Sequence, residues 1–370
     1  MNPFVLHHHP NPDYFCDRVS LLNTLQQHLD AGRNLMLFGE RRMGKTALLK
    51  RVLQDRRHKV SGVLVDLMPC ENLGDAVTRI ANALLNHPML KRDLQDPVWQ
   101  RLLQSFRVAF GVDALTGMPS LSVGFSETGK AGEALTDLAQ YLTAIQPGFC
   151  LFIDEFQQIT HFPEKNAEAI FRTWMQAHPE IRFAFSGSQT SLMSTMFNAR
   201  NRPFYNSCSH FEVGAIPEDA YIDFMRRHFA GHRQAMPLDT TFAQIYSWAN
   251  GITHWIQDQA NRLYDHEKPA SASALRDIQH AILHEAAPYF RVILNQLRPG
   301  AVSLLRSLAA NPAGIAHPMS QEHIQAHALP AASTLSSMLK NLEAKGLVRQ
   351  EPATGHWRVS DPLLGHWLRG

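Results

Sequence analysis

The chain has 370 residues, of which 45% are hydrophobic and 18% are charged, and its formal net charge is +2. At roughly 150 residues per domain, this length predicts about two to three domains, and the composition excludes wholesale disorder. The nearly balanced charge excludes a strongly basic chain, so any nucleic-acid contact has to be local. The longest apolar runs have the length of a strand, which predicts that no segment spans a membrane.

The cysteines and the amino terminus favour a reducing compartment. The four cysteines lie far apart, with no C-x-x-C pair, and Met1–Phe4 carries no basic segment ahead of an apolar one. This pattern argues against a disulfide framework, a zinc ribbon and a signal peptide, so we expect a cytoplasmic protein. The run His7–His9 is interpreted as a solvated arm, and the other histidines form no pattern typical of a transition-metal site.

Short apolar runs alternate with amphipathic helical segments from Asn34 to about Val213. Near-continuous apolar runs are typical of parallel strands that helices cover on both faces, so residues 1–216 are predicted to form an α/β domain. The predicted strands are Leu35–Phe38, Val63–Leu67, Phe149–Ile153, Phe183–Phe185 and Phe211–Val213.

The strand pattern stops after Ile216. Four helical segments follow and predict an all-helical domain over residues 217–289: Glu218–Phe229, Thr240–Ala249, His254–Tyr264 and Ser273–Glu285. Three helices and two short strands then predict a winged helix-turn-helix domain over residues 290–370. These are Ala301–Ala310, Ser320–Ala326, Pro330–Ala344, Leu347–Gln350 and His356–Val359.

The strongest motif is a glycine-rich loop between a predicted strand and a predicted helix. It matches the pattern G-x-x-x-x-G-K-S/T and consists of Gly39, Glu40, Arg41, Arg42, Met43, Gly44, Lys45 and Thr46, with Ala47 opening the helix. Glycines let the backbone curl so that its N–H groups face phosphate oxygens, and the helix N-terminus adds positive partial charge. Lys45 supplies a full charge to the β- and γ-phosphates, and Thr46 offers a hydroxyl to Mg²⁺.

Two further strands end in polar residues. Asp154 and Glu155 end a buried strand. Asp154 would hold Mg²⁺, often through water, and Glu155 would orient or deprotonate the attacking water. Another apolar strand ends in Ser186 and Ser188, either of which is a candidate to hydrogen-bond the γ-phosphate or that water. Carboxyl ends of parallel strands face the ligand crevice of an α/β sheet, so we expect these groups to meet at the glycine-rich loop.

In this order, the motifs resemble those of the AAA+ ATPases and, more narrowly, the archaeal ATPase family related to the signal-transducing STAND NTPases. The segment Tyr14–Arg18 followed by Leu21 is similar to the family's F-x-x-R-x-x-E-L box. The resemblance implies that Phe15 and Arg18 touch the adenine and that Ser188 is the first sensor of the γ-phosphate. It further implies ATP or ADP as ligand, Mg²⁺ as cofactor, and a protein partner or a homo-oligomer.

The chain departs from the family pattern at two places. Thr253 stands where the lid motif G-G-x-P has its proline, and Pro203–Ser207 lacks the arginine of the motif P-L-Y-G-R. Arg200 or Arg202 is a candidate replacement as a finger toward a neighbouring subunit. An arginine finger is worth ~10³–10⁵ in rate, so the departure predicts slow hydrolysis without a partner.

The predicted winged helix has two interpretations. Its recognition helix and wing, within residues 330–358, present donors suited to phosphates and base edges: Ser333, Ser336, Ser337, Lys340, Asn341, Lys345, Arg349, Thr354, His356 and Arg358. Glu343 and Glu351 interrupt this modest positive charge, so packing or protein contact is an equal alternative to DNA binding.

We therefore expect an ATP-hydrolysing switch that couples its nucleotide state to DNA or partner binding. The first alternative is a nucleotide-bound scaffold that recruits a separate effector with negligible turnover. A second alternative is a transcription regulator that acts mainly through the winged helix.

Overall fold

The computed structural model describes residues 2–6, 11–55, 61–87, 106–112, 119–124, 130–230, 237–266, 271–351 and 354–370. The run His7–His9 lies outside these residues. The chain divides into two compact units, one of His7–Ala215 and one of Met1–Leu6 with Ile216–Gly370. In the part of the chain so described, no helix is both long enough and apolar enough to cross a bilayer.

A parallel sheet of five strands forms the centre of the unit His7–Ala215. The strands are β1 (Leu35–Phe38), β2 (Gly62–Asp66), β5 (Cys150–Asp154), β6 (Arg182–Gly187) and β7 (Ser209–Glu212). Their spatial order is β2-β5-β6-β1-β7, and every neighbouring pair runs parallel. This confirms the α/β fold class with a parallel sheet. It also places β6 between β5 and β1, the strand that leads into the glycine-rich loop.

Helices alternate with these strands along the chain. They are α1 (Val19–Asp30), α2 (Lys45–Gln54), α3 (Leu73–Leu85), α4 (Ala131–Ile145), α5 (Ala167–Ala177) and α6 (Thr190–Asn198). Between α3 and α4, an antiparallel hairpin consists of β3 (Arg107–Val112) and β4 (Pro119–Gly124), which the sequence patterns did not predict.

An aromatic cluster fixes the chain just after β5. Phe156 begins a 3-10 helix over Phe156–His161 and is fully buried. Its ring lies 4.3 Å from that of Phe185 on β6 and also contacts Phe197 and Phe204. Burying aromatic rings of this size contributes a large share of core stability. The packing therefore holds the turn at Glu155, which immediately precedes Phe156, against the end of β6.

The second unit is helical and ends in a winged helix. Its helices are α7 (Glu218–Phe229), α8 (Asp239–Trp248), α9 (Thr253–Tyr264), α10 (Ala272–Asn295), α11 (Pro299–Ala309), α12 (Gln321–Ala326), α13 (Ala332–Ala344) and α14 (Pro362–Arg369). Strands β8 (Val348–Gln350) and β9 (Trp357–Val359) pair antiparallel and form the wing. The expected helices and hairpin are present, and α14 follows them.

One predicted boundary in this unit is wrong. Helix α10 does not end at Glu285 but continues through Pro288 to Asn295. Phe290 is buried beyond the proline, and its ring lies 5.6 Å from that of Trp367. Tertiary packing on the carboxyl-terminal half of α10 therefore outweighs the hydrogen bond that the proline removes.

Candidate functional site

The loop between β1 and α2 has a backbone that only particular residues tolerate. Gly39 has φ 156° and Gly44 has φ 89°. A Cβ atom on Gly39 would lie 2.5 Å from the carbonyl oxygen of Val213, which follows β7. Glycine at this position therefore allows the loop to start in close contact with the neighbouring strand. Met43 is buried and anchors the far side of the loop.

Lys45 begins α2 and lies inside the curve of this loop. Its Nζ donates to the carbonyl oxygens of Gly39 at 2.8 Å and of Glu40 at 2.7 Å, and the residue is only 5% exposed. Burial lowers the pKa of Lys45 to about 8, although the charges of Glu155 and Asp154 oppose this shift. The ammonium is thus held close to both acidic residues, at the helix start where anions bind favourably.

Asp154 joins three elements through its two carboxylate oxygens. Its Oδ2 accepts a hydrogen bond from Thr46 Oγ1 of α2 at 2.5 Å. Its Oδ1 accepts from Ser186 Oγ of β6 at 2.5 Å and from the backbone N–H of Glu155 at 3.0 Å. Asp154 and Ser186 are both buried. The two residues predicted to hold Mg²⁺, Thr46 and Asp154, are therefore in direct contact.

Glu155 occupies a left-handed backbone conformation, with φ 52°, at the turn after β5. Its Oε2 accepts hydrogen bonds from Ser188 Oγ at 2.8 Å and from Gln157 Nε2 at 2.5 Å. Positive φ is unusual for a residue other than glycine and is often found at functional sites. The predicted acid, Glu155, and the predicted sensor, Ser188, are thus in contact. Ser186 instead donates its hydrogen bond to Asp154.

The sequence analysis missed Gln157. This side chain is buried, and a Cβ atom on Gly187 would lie 2.3 Å from its Oε1. The spacing alone does not predict this contact, because it depends on the left-handed turn at Glu155. A small residue at position 187 leaves the room that this amide needs.

The remaining loop residues differ in exposure. Arg41 and Arg42 are exposed, while Glu40 and Ala47 are partly buried. Arg42 has φ 67°, which contributes to the curl of the loop. Arg41 Nε lies 3.5 Å from Ser188 Oγ, so the loop reaches the end of β6.

Arg18 lies against the backbone of the glycine-rich loop. Its guanidinium donates to the carbonyl oxygen of Met43 at 2.8 Å and to that of Gly214 at 2.9 Å. Arg18 has φ 62°, and Phe15, which precedes it, is partly buried. Arg18 thus links the loop to the segment after β7 through hydrogen bonds. The adenine contact expected of Phe15 and Arg18 stays a prediction.

The two arginines considered as fingers have different surroundings. Arg202 forms an ion pair with Glu168 on α5, whereas Arg200 is exposed. Burial raises the pKa of the Glu168 carboxyl, and the charge of Arg202 opposes this shift. Arg202 therefore already has an intramolecular counterion.

The winged helix offers fewer available cations than its sequence suggests. Arg358 pairs with Glu351, and burial together with the charge of Arg358 lowers the pKa of Arg349 to about 10. Lys340 and Lys345 remain exposed on or just after α13, with Glu343 exposed between them. The other exposed polar residues of the helix are Ser333, Thr334, Ser337 and Asn341, while Ser336 is partly buried.

Two family models match the chain. One, described as an ATPase domain predominantly from Archaea, matches residues 15–258, and a second, described as a probable winged helix domain, matches residues 288–370. Among curated protein sequences, none matches.

Solved structures of archaeal proteins share the fold over nearly the full chain. A Walker-type ATPase of Pyrococcus abyssi is 17% identical with a TM-score of 0.68, and the match covers 100% of both chains. The ORC2 protein of Aeropyrum pernix, in ADPNP and ADP complexes, is 14% identical with a TM-score of 0.58, over 97% of this chain and 96% of that one. The ORC1 protein of the same organism, in complex with DNA, is 13% identical with a TM-score of 0.53, over 97% and 94%.

Proposed function

Because the chain belongs to the family of ATPase domains found predominantly in Archaea, we propose that it binds ATP with Mg²⁺ at Gly39–Thr46 and hydrolyses it. The observation that carries this proposal is the hydrogen-bonded set formed by Thr46, Asp154 and Ser186, with Glu155 and Ser188 beside it. These contacts join the start of α2 to the carboxyl ends of β5 and β6, where ligands bind in α/β sheets.

The residues at this edge have the chemistry that a nucleoside triphosphate with Mg²⁺ requires. Backbone N–H groups from Gly39 to Ala47 would bind the phosphate oxygens, and Lys45 would neutralise part of their charge. Hydroxyl and carboxylate oxygens are ligands that Mg²⁺ prefers, and it commonly uses one or two protein groups together with phosphates and water. Thr46 and Asp154 supply such a pair. When bound, the ion would neutralise charge on the β- and γ-phosphates.

Hydrolysis would use Glu155 and Ser188. Glu155 would orient a water molecule and take its proton as the water oxygen forms a bond to the γ-phosphorus. The bond from that phosphorus to the bridging oxygen would break, which releases ADP and inorganic phosphate. Ser188 would hold the Glu155 carboxylate or donate to the γ-phosphate, and Lys45 would stabilise charge on the phosphoryl group.

The proposal includes a three-part organisation in which residues 1–216 bind the nucleotide, residues 217–289 form a lid and residues 290–370 form the output domain. ATP would favour one arrangement of the lid and winged helix only to the extent that it binds that arrangement more tightly. The output would be contact with DNA through residues 330–358, or with a protein partner or a second copy of the chain. We place the protein in the cytoplasm.

Residues 330–358 offer few exposed cations for contact with DNA phosphates. Lys340 and Lys345 are the exposed cations on or just after α13, and Arg358 is paired with Glu351. Each neutralised phosphate adds to the salt dependence of binding. Such a surface should therefore bind DNA weakly, and its affinity should fall only gradually as the salt concentration rises. DNA binding by the ATP-bound chain that Lys340→Ala and Lys345→Ala each weaken would support a DNA output. Undiminished binding in both variants would argue against this surface.

Steady-state hydrolysis tests the proposal directly. We expect the full chain to release phosphate from ATP only when Mg²⁺ is present, and Glu155→Gln to abolish that release while ATP binding survives. If the wild-type chain binds ATP but shows no turnover with DNA or candidate partners present, the non-hydrolysing scaffold is favoured. If nucleotide binding fails but DNA binding occurs, a transcription regulator is favoured.

A further inference from the structure

The chain lacks the arginine of the motif P-L-Y-G-R, which the resembling family has after its first sensor. The segment Pro203–Ser207 carries no arginine, and Arg202 is paired with Glu168. Phosphoryl transfer gains much of its rate from positive charge on the transferred group, so another cation is needed there.

Arg41 is placed to supply that charge from the loop itself. It is the third residue of the glycine-rich loop, and its side chain is exposed. Its Nε lies 3.5 Å from Ser188 Oγ, which in turn donates to Glu155 Oε2 at 2.8 Å. The hydroxyl of Ser188 therefore links the guanidinium to the acid proposed to activate water, at the carboxyl end of β6.

The charges around Arg41 are consistent with an anion between them. Arg41 and Arg18 both lower the pKa of Lys45, which means that several cations act on the same small region. The contact with Ser188 uses Nε of Arg41, and the two Nη groups lie at the far end of the guanidinium. The planar fork of a guanidinium suits two oxygens of one phosphate.

We propose that Arg41 binds the γ-phosphoryl group of ATP within its own chain and stabilises its charge during transfer, in place of an arginine from another subunit. This inference rests on the proposed function. It predicts that Arg41 discriminates ATP from ADP, because ADP lacks the group that Arg41 contacts. It also predicts that the rate of ATP hydrolysis per chain is independent of protein concentration, because no second chain is needed.

Nucleotide affinities separate this role from a general role in the loop. Binding of ADP and of ATP, each with Mg²⁺, is measured by calorimetry in a Glu155→Gln background that keeps ATP intact. Arg41→Ala should weaken the binding of ATP by about 10-fold or more, as expected for a lost charge-assisted hydrogen bond. Its affinity for ADP should stay within about 2-fold of that without the substitution. The ATP affinity of Arg41→Lys should lie between those of the chain with Arg41 and of Arg41→Ala, since an ammonium supplies charge without the planar fork.

Arg33→Ala is the matched control. Arg33 is exposed and precedes β1, at the opposite end of this strand from the glycine-rich loop. Removing it deletes the same charge from the same unit, and we expect both affinities to stay unchanged. Thermal unfolding of each variant verifies that the exposed substitutions leave the fold intact.

Turnover with the native Glu155 completes the test. Arg41→Ala should reduce the rate per chain by ~100-fold or more, and wild-type turnover per chain should be constant across protein concentrations. Equal weakening of ATP and ADP, unchanged ATP affinity, or a rate per chain that rises with protein concentration would overturn the role of Arg41. A wild-type chain that binds both nucleotides but does not hydrolyse ATP contradicts the proposed hydrolysis, and the affinity difference still decides the role of Arg41. A wild-type chain that binds neither nucleotide overturns both.

Discussion

Thr46 Oγ1 donates a 2.5 Å hydrogen bond to Asp154 Oδ2, so the second residue of α2 is joined directly to the last residue of β5. Each of these oxygens is a predicted ligand of Mg²⁺. The hydroxyl oxygen of Thr46 can keep donating its proton to Asp154 and still offer a lone pair to a divalent ion. The contact thus holds the two predicted ligand oxygens next to each other.

The first prediction follows from that pair. Mg²⁺ should strengthen ATP binding, and Thr46→Ala should reduce this enhancement by about 10-fold or more. The substitution removes one of the two side chains predicted to hold the ion. Binding of ATP in the presence of a chelator should change little. Calorimetry with and without Mg²⁺ measures both quantities. Thr24→Ala, which removes an exposed hydroxyl from α1, is the control, and an equal loss of Mg²⁺ enhancement in both variants would contradict the assignment.

Glu155 should be needed for turnover and not for binding. We expect Glu155→Gln to lower the hydrolysis rate by ~10²–10⁴, the usual contribution of a general base, because the amide does not accept the water proton. Affinity for ATP should stay within about 3-fold of wild type, since the amide still accepts the hydrogen bond from Ser188. Phosphate release and calorimetry measure the two effects. Glu133→Gln, at an exposed position on α4, should have no effect on either, and retained turnover in Glu155→Gln would remove Glu155 from the reaction.

The affinity for ATP should fall as the pH rises above about 8. Burial holds the pKa of Lys45 at about 8 in the folded chain, below its ordinary value of 10.5. Phosphate favours the ammonium form and therefore raises this pKa in the complex. Below about pH 8 the lysine is already charged, so affinity should be flat. Above it, binding has to take up a proton, and affinity should fall by up to ~10-fold per pH unit until the pKa of the complex is reached.

Proton uptake measures this linkage directly. Calorimetry at about pH 9 in two buffers of different ionisation enthalpy should show uptake of close to one proton per ATP bound. The same shift has a consequence for folding, because between about pH 8 and 10.5 the unfolded chain binds more protons at Lys45 than the folded chain. The contribution of Lys45 to stability should therefore rise with pH in that window. Constant ATP affinity from about pH 7 to 9.5 would show that Lys45 does not carry the binding charge.

Arg202 should contribute to stability and not to hydrolysis. Arg202→Ala leaves the partly buried carboxylate of Glu168 without its cation, so we expect the free energy of unfolding to fall by about 1 kcal/mol. Turnover per folded chain should stay at the wild-type rate. Denaturant unfolding and phosphate release measure the two quantities. A large loss of turnover with unchanged stability would instead identify Arg202 as the arginine that acts on phosphate.

The sequence predicted the elements that follow from local patterns. The predicted strand Leu35–Phe38 has the observed bounds, and the loop at Gly39–Thr46 lies between a strand and a helix as expected. The position of the acidic pair also follows a simple rule, because the carboxyl ends of parallel strands share one edge of the sheet. By this rule, Asp154 and Glu155 were expected to lie at the glycine-rich loop.

Other features depend on contacts that no local pattern records. The hydrogen bond from Gln157 to Glu155 arises from a left-handed turn at Glu155, which the buried ring of Phe156 fixes in place. Helix α10 continues through Pro288 because Phe290 packs against Trp367, about 75 residues away in sequence, so its end was predicted too early. In the wing, the pairing of Arg358 with Glu351 removed a cation that the sequence offered for DNA.

The most direct test of the account is calorimetric titration of the purified, folded chain with ATP in the presence and absence of Mg²⁺, beside Lys45→Ala and Lys50→Ala. Lys50 is an exposed lysine on the same helix, so its loss controls for charge alone. We predict that the wild-type chain and Lys50→Ala bind ATP more tightly with Mg²⁺, and that Lys45→Ala loses this binding by ~100-fold or more. ATP affinity that is unaffected by Lys45→Ala, or a wild-type chain with no uptake of ATP, would contradict the account.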